Sequence, residues 1–591
     1  MKQFKKITAM ILVVLMLFSS TVLVSSAKSD YTPAYDLETP VIFIHGMGQN
    51  DTFLLNEDGT RKLNDKGEPM TGWPLQIDIM GLLKHALPGL LASIVTRKDT
   101  GLSKGLEKGA MAALANVAKD NEGNYLTPVE VPCIPYAYDK MTEEEMNDCY
   151  EHIPVKEMTD LLGEDMVYYF GYDTFGNVAD TAEILHKYIT EIVLPQTGAK
   201  QVAICPISLG GTIAVKYLED YPEDHKYLKR VLFFVPAING SDIVGDILTY
   251  NLSVFDDDET LYGSLMPKLL GDSYLAYLLN MVLRILPSDV LKSGLRGLVT
   301  GVVNVAIRSC TQMWALCPDE YYEEARELWL SDDAYASIRK EVDEFMVARK
   351  NIKKNLDKLQ AGGTEIFNLV CYGSELFPLS KDYKTTNADG IIDAESTSFG
   401  ATFADLGTTF PEGYKAAGTY CTDPTHDHIS PDRTVDPSTC LFPCRTWFFK
   451  GQAHEKLASN DVAIKLSIQL LCDDNMKDVY SNPEAYPQYN SFRLTKEYKL
   501  NKELWAEADK SKYTAEQIKA VEDAIVKADS FLTETVIDNE GWTKAEAEFN
   551  TALVNVGLLE DKTPTAFENV LTTITKNANR VVNTAFKYIE K

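Results

Sequence analysis

The chain predicts an α/β sandwich with a mainly parallel sheet and a large helical cap, followed by a C-terminal all-α helical bundle. Three observations carry this. Short β-branched apolar runs alternate with stretches of helical period, two long insertions interrupt the alternation, and the composition changes beyond Leu471. The runs are Val41–Ile44, Val167–Phe170, Gln201–Cys205, Val231–Val235, Ile366–Cys371 and Thr446–Phe449. Their hydrophobicity is continuous rather than alternating, which suits strands buried on both faces of a parallel sheet. Helical periods at Thr181–Tyr188 and Gly211–Tyr221 flank the third run, as right-handed strand–helix–strand crossovers require.

The first insertion, about Asp51 to Val131, opens with a turn-rich stretch at Asn56–Pro69 and continues as amphipathic helices. The second, Ser241 to Gly363, is strongly helical and forms the expected cap (241–363) within a domain spanning 28–475. Its segment Tyr274–Ile307 carries only Arg284, Asp289, Lys292 and Arg296 as charges. It needs a partner surface, either the core beneath it or a lipid-like ligand, and a packed pair of cap helices is the simpler reading. Residues 476–499, rich in Asp, Asn, Pro and Tyr, read as a linker. Residues 500–591 show helical periodicity with abundant Ala, Glu and Lys. They hold no His or Cys, so chemistry is not expected there.

Basic Met1–Lys6, apolar Ile7–Val24 and the small residues Ser25-Ser26-Ala27 have the layout of a secretory signal peptide, residues 1–27. A secreted, extracellular or cell-surface location is therefore expected. The formal charge of −29 argues against nucleic acid as a partner. Of ten cysteines, Cys205 and Cys371 sit in core-strand runs and are expected to be free. Cys133/Cys149, Cys310/Cys317 and the group Cys421, Cys440, Cys444 lie in loop-like contexts and are the candidates for bridges.

Candidate chemistry centres on Ser208. In Gln201-Val-Ala-Ile-Cys-Pro-Ile-Ser208-Leu-Gly-Gly211, a strand-like run meets a serine and two glycines, and a helical pattern begins at once. This is the layout of a nucleophile elbow, a sharp strand-to-helix turn presenting a strained serine. A serine hydroxyl needs a histidine to accept its proton and a carboxylate to orient that histidine. His454 follows the last strand-like run through Gly451-Gln-Ala453 and precedes an amphipathic helix at Val462–Leu471, which is the required order. Upstream, Val41-Ile-Phe-Ile-His45-Gly46-Met47 is a strand ending in a glycine turn. The Met47 and Leu209 amides are the expected oxyanion donors, with His45 structural.

Two segments compete for the acid, Asp389-Gly-Ile-Ile-Asp393 and Asp432-Arg-Thr-Val-Asp436. Asp432 lies only 22 residues before His454 and is preferred, with Asp389 the alternative. The stretch Thr425-His426-Asp427-His428, with Asp423 nearby, has metal-binding residue types. Spacing sets no third close ligand, so it reads as a solvated acidic loop, and no metal or other cofactor is expected.

With these motifs in place, residues 39–473 resemble the lipase side of the α/β-hydrolases, and in particular the lecithin:cholesterol acyltransferase-like branch, as a secreted bacterial type. The resemblance is carried by His45-Gly46, Phe170-Gly-Tyr172-Asp173, the elbow, Pro236–Ser241 and Met313-Trp-Ala-Leu-Cys-Pro318. The chain departs from that pattern at Pro206 in place of glycine, at Thr174-Phe175, and at Arg433 after Asp432. The bundle is similar to FIVAR-type helical modules of bacterial surface proteins and is a candidate for surface contact. The resemblance implies a lipase or esterase acting on a hydrophobic ester or lipid through an acyl-enzyme. Two alternatives stand beside it: a non-catalytic binding protein on the same scaffold, and an acyltransferase or amidase using the same triad.

Overall fold

In a computed structural model, the structure describes residues 38–591 apart from 76–77, 153–155, 267, 269–276, 278–279, 282, 422, 424, 427, 492–495, 533–538, 560–574 and 579–591. The expected signal peptide, residues 1–27, lies outside the described residues, as does part of the apolar cap segment.

All six apolar runs become strands of one sheet: β1 (Val41–Ile44), β2 (Val167–Phe170), β3 (Val202–Pro206), β4 (Leu228–Phe234), β5 (Glu365–Tyr372) and β6 (Thr446–Lys450). A seventh, β7 (Tyr489–Ser491), comes from the stretch expected to be linker. The order is β7-β6-β5-β4-β3-β1-β2, and each neighbouring pair is parallel, with Ile44 opposite both Phe170 and Pro206. Alternate residues of one strand enter different cores. Ile42 and Ile44 pack into one apolar cluster, Val41 and Phe43 into the other. That two-sided burial is why the strands read as unbroken apolar runs.

Among the helices that flank the sheet or build its insertions are α1 (Ile79–Thr96), α2 (Leu102–Ala113), α3 (Val178–Lys187), α4 (Gly210–Asp220), α5 (Ser288–Val302) and α6 (Asp461–Cys472). Helices α3 and α4 cover the face carrying Ile42 and Ile44, and α6 covers the other. Asn177 caps α3 by accepting from the Ala179 and Asp180 amides at 2.8 and 3.2 Å, a contribution of about 1 kcal/mol. On β4, the buried Arg230 donates to Glu365, to Leu471 O and to Asp474, fastening the end of α6 to the sheet. A buried guanidinium is tolerable only with such partners.

The two insertions meet. A Cβ on Gly297 of α5 would lie 2.2 Å from Ser103 O of α2, and one on Gly301 would lie 2.4 Å from Glu107 O. A Cβ on Gly105 would lie 2.5 Å from His85 O of α1. Glycine at these positions lets the helix axes approach closely, so α1, α2 and α5 form one layer. The described part of the apolar cap segment is thus packed against protein rather than left open. Later cap helices leave that layer: Asn351 and Asn355 donate to Glu219 of α4 at 2.8 and 2.7 Å. They serve as the crossover into β5.

The described residues 476–491 of the expected linker are held to the sheet. Phe448 N–H donates to Gln488 O, Trp447 Nε1–H to Tyr486 O, and Val479 N–H to Cys444 O. Its polar composition suits an edge strand, whose outer side faces solvent. Beyond it, helices Lys496–Glu507, Ala515–Leu532 and Asn539–Asn555 enclose a separate core of Tyr498, Trp505, Val521, Trp542, Phe549 and Leu553.

Candidate active site

Ser208 sits between β3 and α4 with φ 52°, a left-handed conformation that costs a non-glycine residue about 1–2 kcal/mol. The surrounding backbone holds it there. Its N–H donates to Phe234 O at 3.1 Å, and its carbonyl accepts from the Gly211 and Ala237 amides at 2.9 Å each. Both glycines are sterically required. A Cβ on Gly210 would lie 2.4 Å from Ile44 O, and one on Gly211 would lie 2.7 Å from Pro236 Cβ. Pro206, one of the departures from the resemblance, is the last residue of β3. The turn forms beyond it, with Ile207 N–H donating to Ile44 O at 2.9 Å.

The loop after β1 lies against this turn. A Cβ on Gly46 would be 3.0 Å from Ser208 Cβ. Gly46 N–H donates to Gln49 Oε1 and Gly48 N–H to Thr174 Oγ1, at 2.6 and 2.9 Å. The amides of Met47 and Leu209 donate to no acceptor among the described residues.

His45 is structural, as expected. It is fully buried and stacks on Tyr172 at 3.8 Å. Tyr172 N–H donates to Nε2 at 3.1 Å, and Nδ1 lies 2.5 Å from Gly46 O. Asp173, beside it, accepts from Tyr125 OH at 2.9 and 2.8 Å. Burial pushes its carboxyl up, against the opposing Lys119 charge. Gln312 in turn donates to Asp173 O at 2.7 Å, tying the Met313–Pro318 stretch to this turn.

The carboxylate that pairs with His454 is Asp389, not the preferred Asp432. His454 Nδ1 lies 2.6 Å from Asp389 Oδ2, and His454 N–H donates to Asp389 O at 3.0 Å. The other oxygen, Oδ1, accepts from the Ile391 and Ile392 amides at 3.0 and 2.7 Å, with Gly390 turning at φ 102°. The carboxylate is fully buried. It stands 17 residues beyond Tyr372, yet the intervening loop closes on itself, Ser374 and Ala388 exchanging backbone hydrogen bonds at 2.9 and 3.0 Å. Asp389 is thereby returned to the end of β5. Burial of the His454 ring opposes its protonation. The Asp389 charge and hydrogen bond, with the Glu455 charge, outweigh that and raise its pKa.

Asp432 is engaged elsewhere. It pairs with Lys450 and accepts from Ser430 and Thr434 hydroxyls at 2.7 Å each, closing a turn in which Arg433 has φ 58°. Burial opposes its ionisation, and the Lys450, Ser430 and Thr434 bonds outweigh that to lower its pKa. Nearness in sequence to His454 was a misleading guide. The Asp-Gly pair at 389–390 was the usable signal, because the tight turn needs a residue that accepts positive φ.

Ser208 and His454 both lie at the C-terminal edge of the sheet, after β3 and β6, but make no hydrogen bond to each other among the described residues. No family model matches the chain, and no curated protein matches it significantly.

Two further clusters go beyond the sequence reading, in which the His426–His428 stretch is a solvated acidic loop. Asp242 N–H donates to Asp393 Oδ2 at 2.9 Å beside a cavity of about 600 Å³ that also meets Asp319, Glu320 and Glu395. Burial, then the Asp393 charge, pushes the Asp242 carboxyl up. Neither Ser208 nor His454 lines that cavity. In the second cluster Cys421, His426, His428 and Cys444 converge. All ten cysteines are free thiols, so none of the bridges expected at Cys133/Cys149, Cys310/Cys317 or among Cys421, Cys440 and Cys444 is present. Burial, rather than cross-linking, accounts for Cys149, Cys310, Cys317 and Cys440, and Cys149 lies in a helix, Glu143–His152, rather than a loop.

Proposed function

We propose that the chain is a serine carboxylester hydrolase of the α/β-hydrolase type, in which Ser208, His454 and Asp389 act as the triad. The observation that carries this reading is the strained Ser208 turn on the same sheet edge as a buried Asp389–His454 couple. Ser208 Oγ attacks the acyl carbon while His454 Nε2 takes its proton, and Asp389 holds Nδ1–H and the imidazolium charge. The Met47 and Leu209 amides receive the oxyanion. His454 then protonates the departing alcohol, and water, activated the same way, hydrolyses the acyl-enzyme.

A hydrophobic ester or lipid is the proposed substrate class. Leu87, Leu91 and Val95 recur every fourth residue on α1 and are about half exposed or more, an exposed apolar stripe on the layer of α1, α2 and α5. Export to the cell exterior, with the bundle contacting a surface, belongs to the same proposal. A second reading, a binding protein on this scaffold, is favoured by the missing Ser208–His454 hydrogen bond. Catalytic hydrogen bonds often tighten only with substrate, so the enzyme reading is preferred.

A fluorophosphonate probe separates the two readings. Labelling of the parent protein and none of Ser208→Ala supports the enzyme; no labelling of either supports the binder. Ester panels with and without an alcohol or amine acceptor then distinguish hydrolysis from acyl transfer and amide cleavage.

A further inference from the structure

We infer that Cys421, His426, His428 and Cys444 form a structural zinc site, separate from the Ser208 chemistry. All four ligand atoms lie within 4.8 Å of one another. His426 Nδ1 is 3.4 Å from Cys421 Sγ and 3.6 Å from Cys444 Sγ, and His428 Nε2 is 3.8 Å from Cys444 Sγ. Zinc bonds of about 2.3 Å to sulfur and about 2.0 Å to nitrogen, at the tetrahedral angle, require S···N separations of about 3.5 Å. These three N···S separations, 3.4 to 3.8 Å, match that edge, and the remaining pairs lie within 4.8 Å.

The donor chemistry agrees. Two thiolates and two imidazoles are a soft set that selects zinc over the oxygen-seeking calcium or magnesium. The four protein ligands fill a tetrahedral shell and leave no position for water, which makes the site structural rather than catalytic.

The surroundings are built to hold these side chains. Tyr480 stacks on the His426 ring at 4.4 Å, and Tyr489 OH donates to His428 O. Cys444 O accepts from Val479 N–H at 2.8 Å. Asp423 Oδ2 lies 3.8 Å from His426 Nε2, the ring nitrogen left over when Nδ1 binds metal. A carboxylate near that nitrogen favours the N–H there electrostatically.

Sequence spacing hid the set, because the fourth ligand lies 16 residues beyond His428 and only the fold returns it. The ion ties Cys421, His426 and His428 to Cys444 at the entry of β6, the strand whose far end delivers His454.

The test uses the full chain, purified under reducing conditions, and reads metal rather than activity. One zinc per chain by elemental analysis is expected. Cobalt substitution should give thiolate-to-metal charge-transfer and tetrahedral ligand-field absorption. Chelation should lower the melting temperature of the α/β unit by about 5 °C or more, with zinc alone restoring it. Cys444→Ser and His428→Ala should each abolish stoichiometric zinc. Should either variant fail to fold, the stoichiometry and cobalt spectrum of the parent protein still decide. A folded parent that takes up no zinc on reconstitution overturns the proposal. So does a mass two hydrogens low with Cys421 and Cys444 both blocked to alkylation, which would be a disulfide, or zinc retained in both variants.

Discussion

Replacing Asp389 by Asn removes one charge from His454 while sparing the local turn, because the amide oxygen can still accept from Ile391 and Ile392 as Oδ1 does at 3.0 and 2.7 Å. The amide nitrogen, placed where Oδ2 now lies 2.6 Å from His454 Nδ1, can only donate. The imidazole must then carry its proton on Nε2, where the serine requires an acceptor. For a buried triad acid this wrong-tautomer penalty is about 10⁴-fold in kcat, or about 5.5 kcal/mol of transition-state stabilisation. Asp432→Asn is the matched control. It weakens the Lys450 pair, whose side chains are about a third exposed, so it should cost on the order of 1 kcal/mol of stability and less than about tenfold in activity. The assay is kcat/KM for a chromogenic ester, with melting temperature measured on the same samples. An Asp432→Asn loss equal to that of Asp389→Asn, with both variants folded, would refute the assignment. The pH profile adds a second readout. Since Asp389 raises the His454 pKa, the acid limb of kcat/KM in the parent protein should lie above the ordinary imidazole value. Stability linked to that shift is fully present below the unfolded imidazole pKa and is lost as pH rises through the folded one.

Gly210→Ala should lower unfolding free energy by about 1–3 kcal/mol, since its Cβ meets backbone oxygens of Ile44 and His45 at 2.4 and 2.8 Å. Fluorophosphonate labelling should fall with it; a variant matching the parent in both melting and labelling would remove the steric account of the turn. Asp242→Asn should stabilise by at least about 1 kcal/mol at pH 8, because the folded state holds the Asp242 carboxyl at a raised pKa, by burial first and the Asp393 charge second. A raised acid pKa means stability falls as pH climbs from the ordinary carboxylate value, so the gain should shrink toward pH 4. Denaturant titrations at both pH values check it, and a gain that grows on acidification would contradict it.

Six of the seven strands and the Ser208 turn were legible in the sequence because their signals are local. A strand buried on both faces must be apolar throughout, and a strained serine turn must be followed by small residues. The structural role of His45 was legible for the same reason, since it stands within the glycine loop it supports. The seventh strand was not. An edge strand three residues long, with one side in solvent, has no apolar run to betray it, and Tyr489–Ser491 read as linker.

What tertiary structure alone decided is which distant side chains meet. The serine, the histidine and two candidate acids could be named from one chain. Proximity along it favoured Asp432, whereas the closed loop between Ser374 and Ala388 brings Asp389 to His454 across 65 residues. The cysteines show the same limit. Residue type suggested bridges in the loop group, but the meeting of unbridged Cys421 and Cys444 with His426 and His428 is a matter of three-dimensional convergence. Backbone conformation and burial are written in neighbouring residues. Pairing between side chains depends on how loops close, and spacing along the sequence does not encode that.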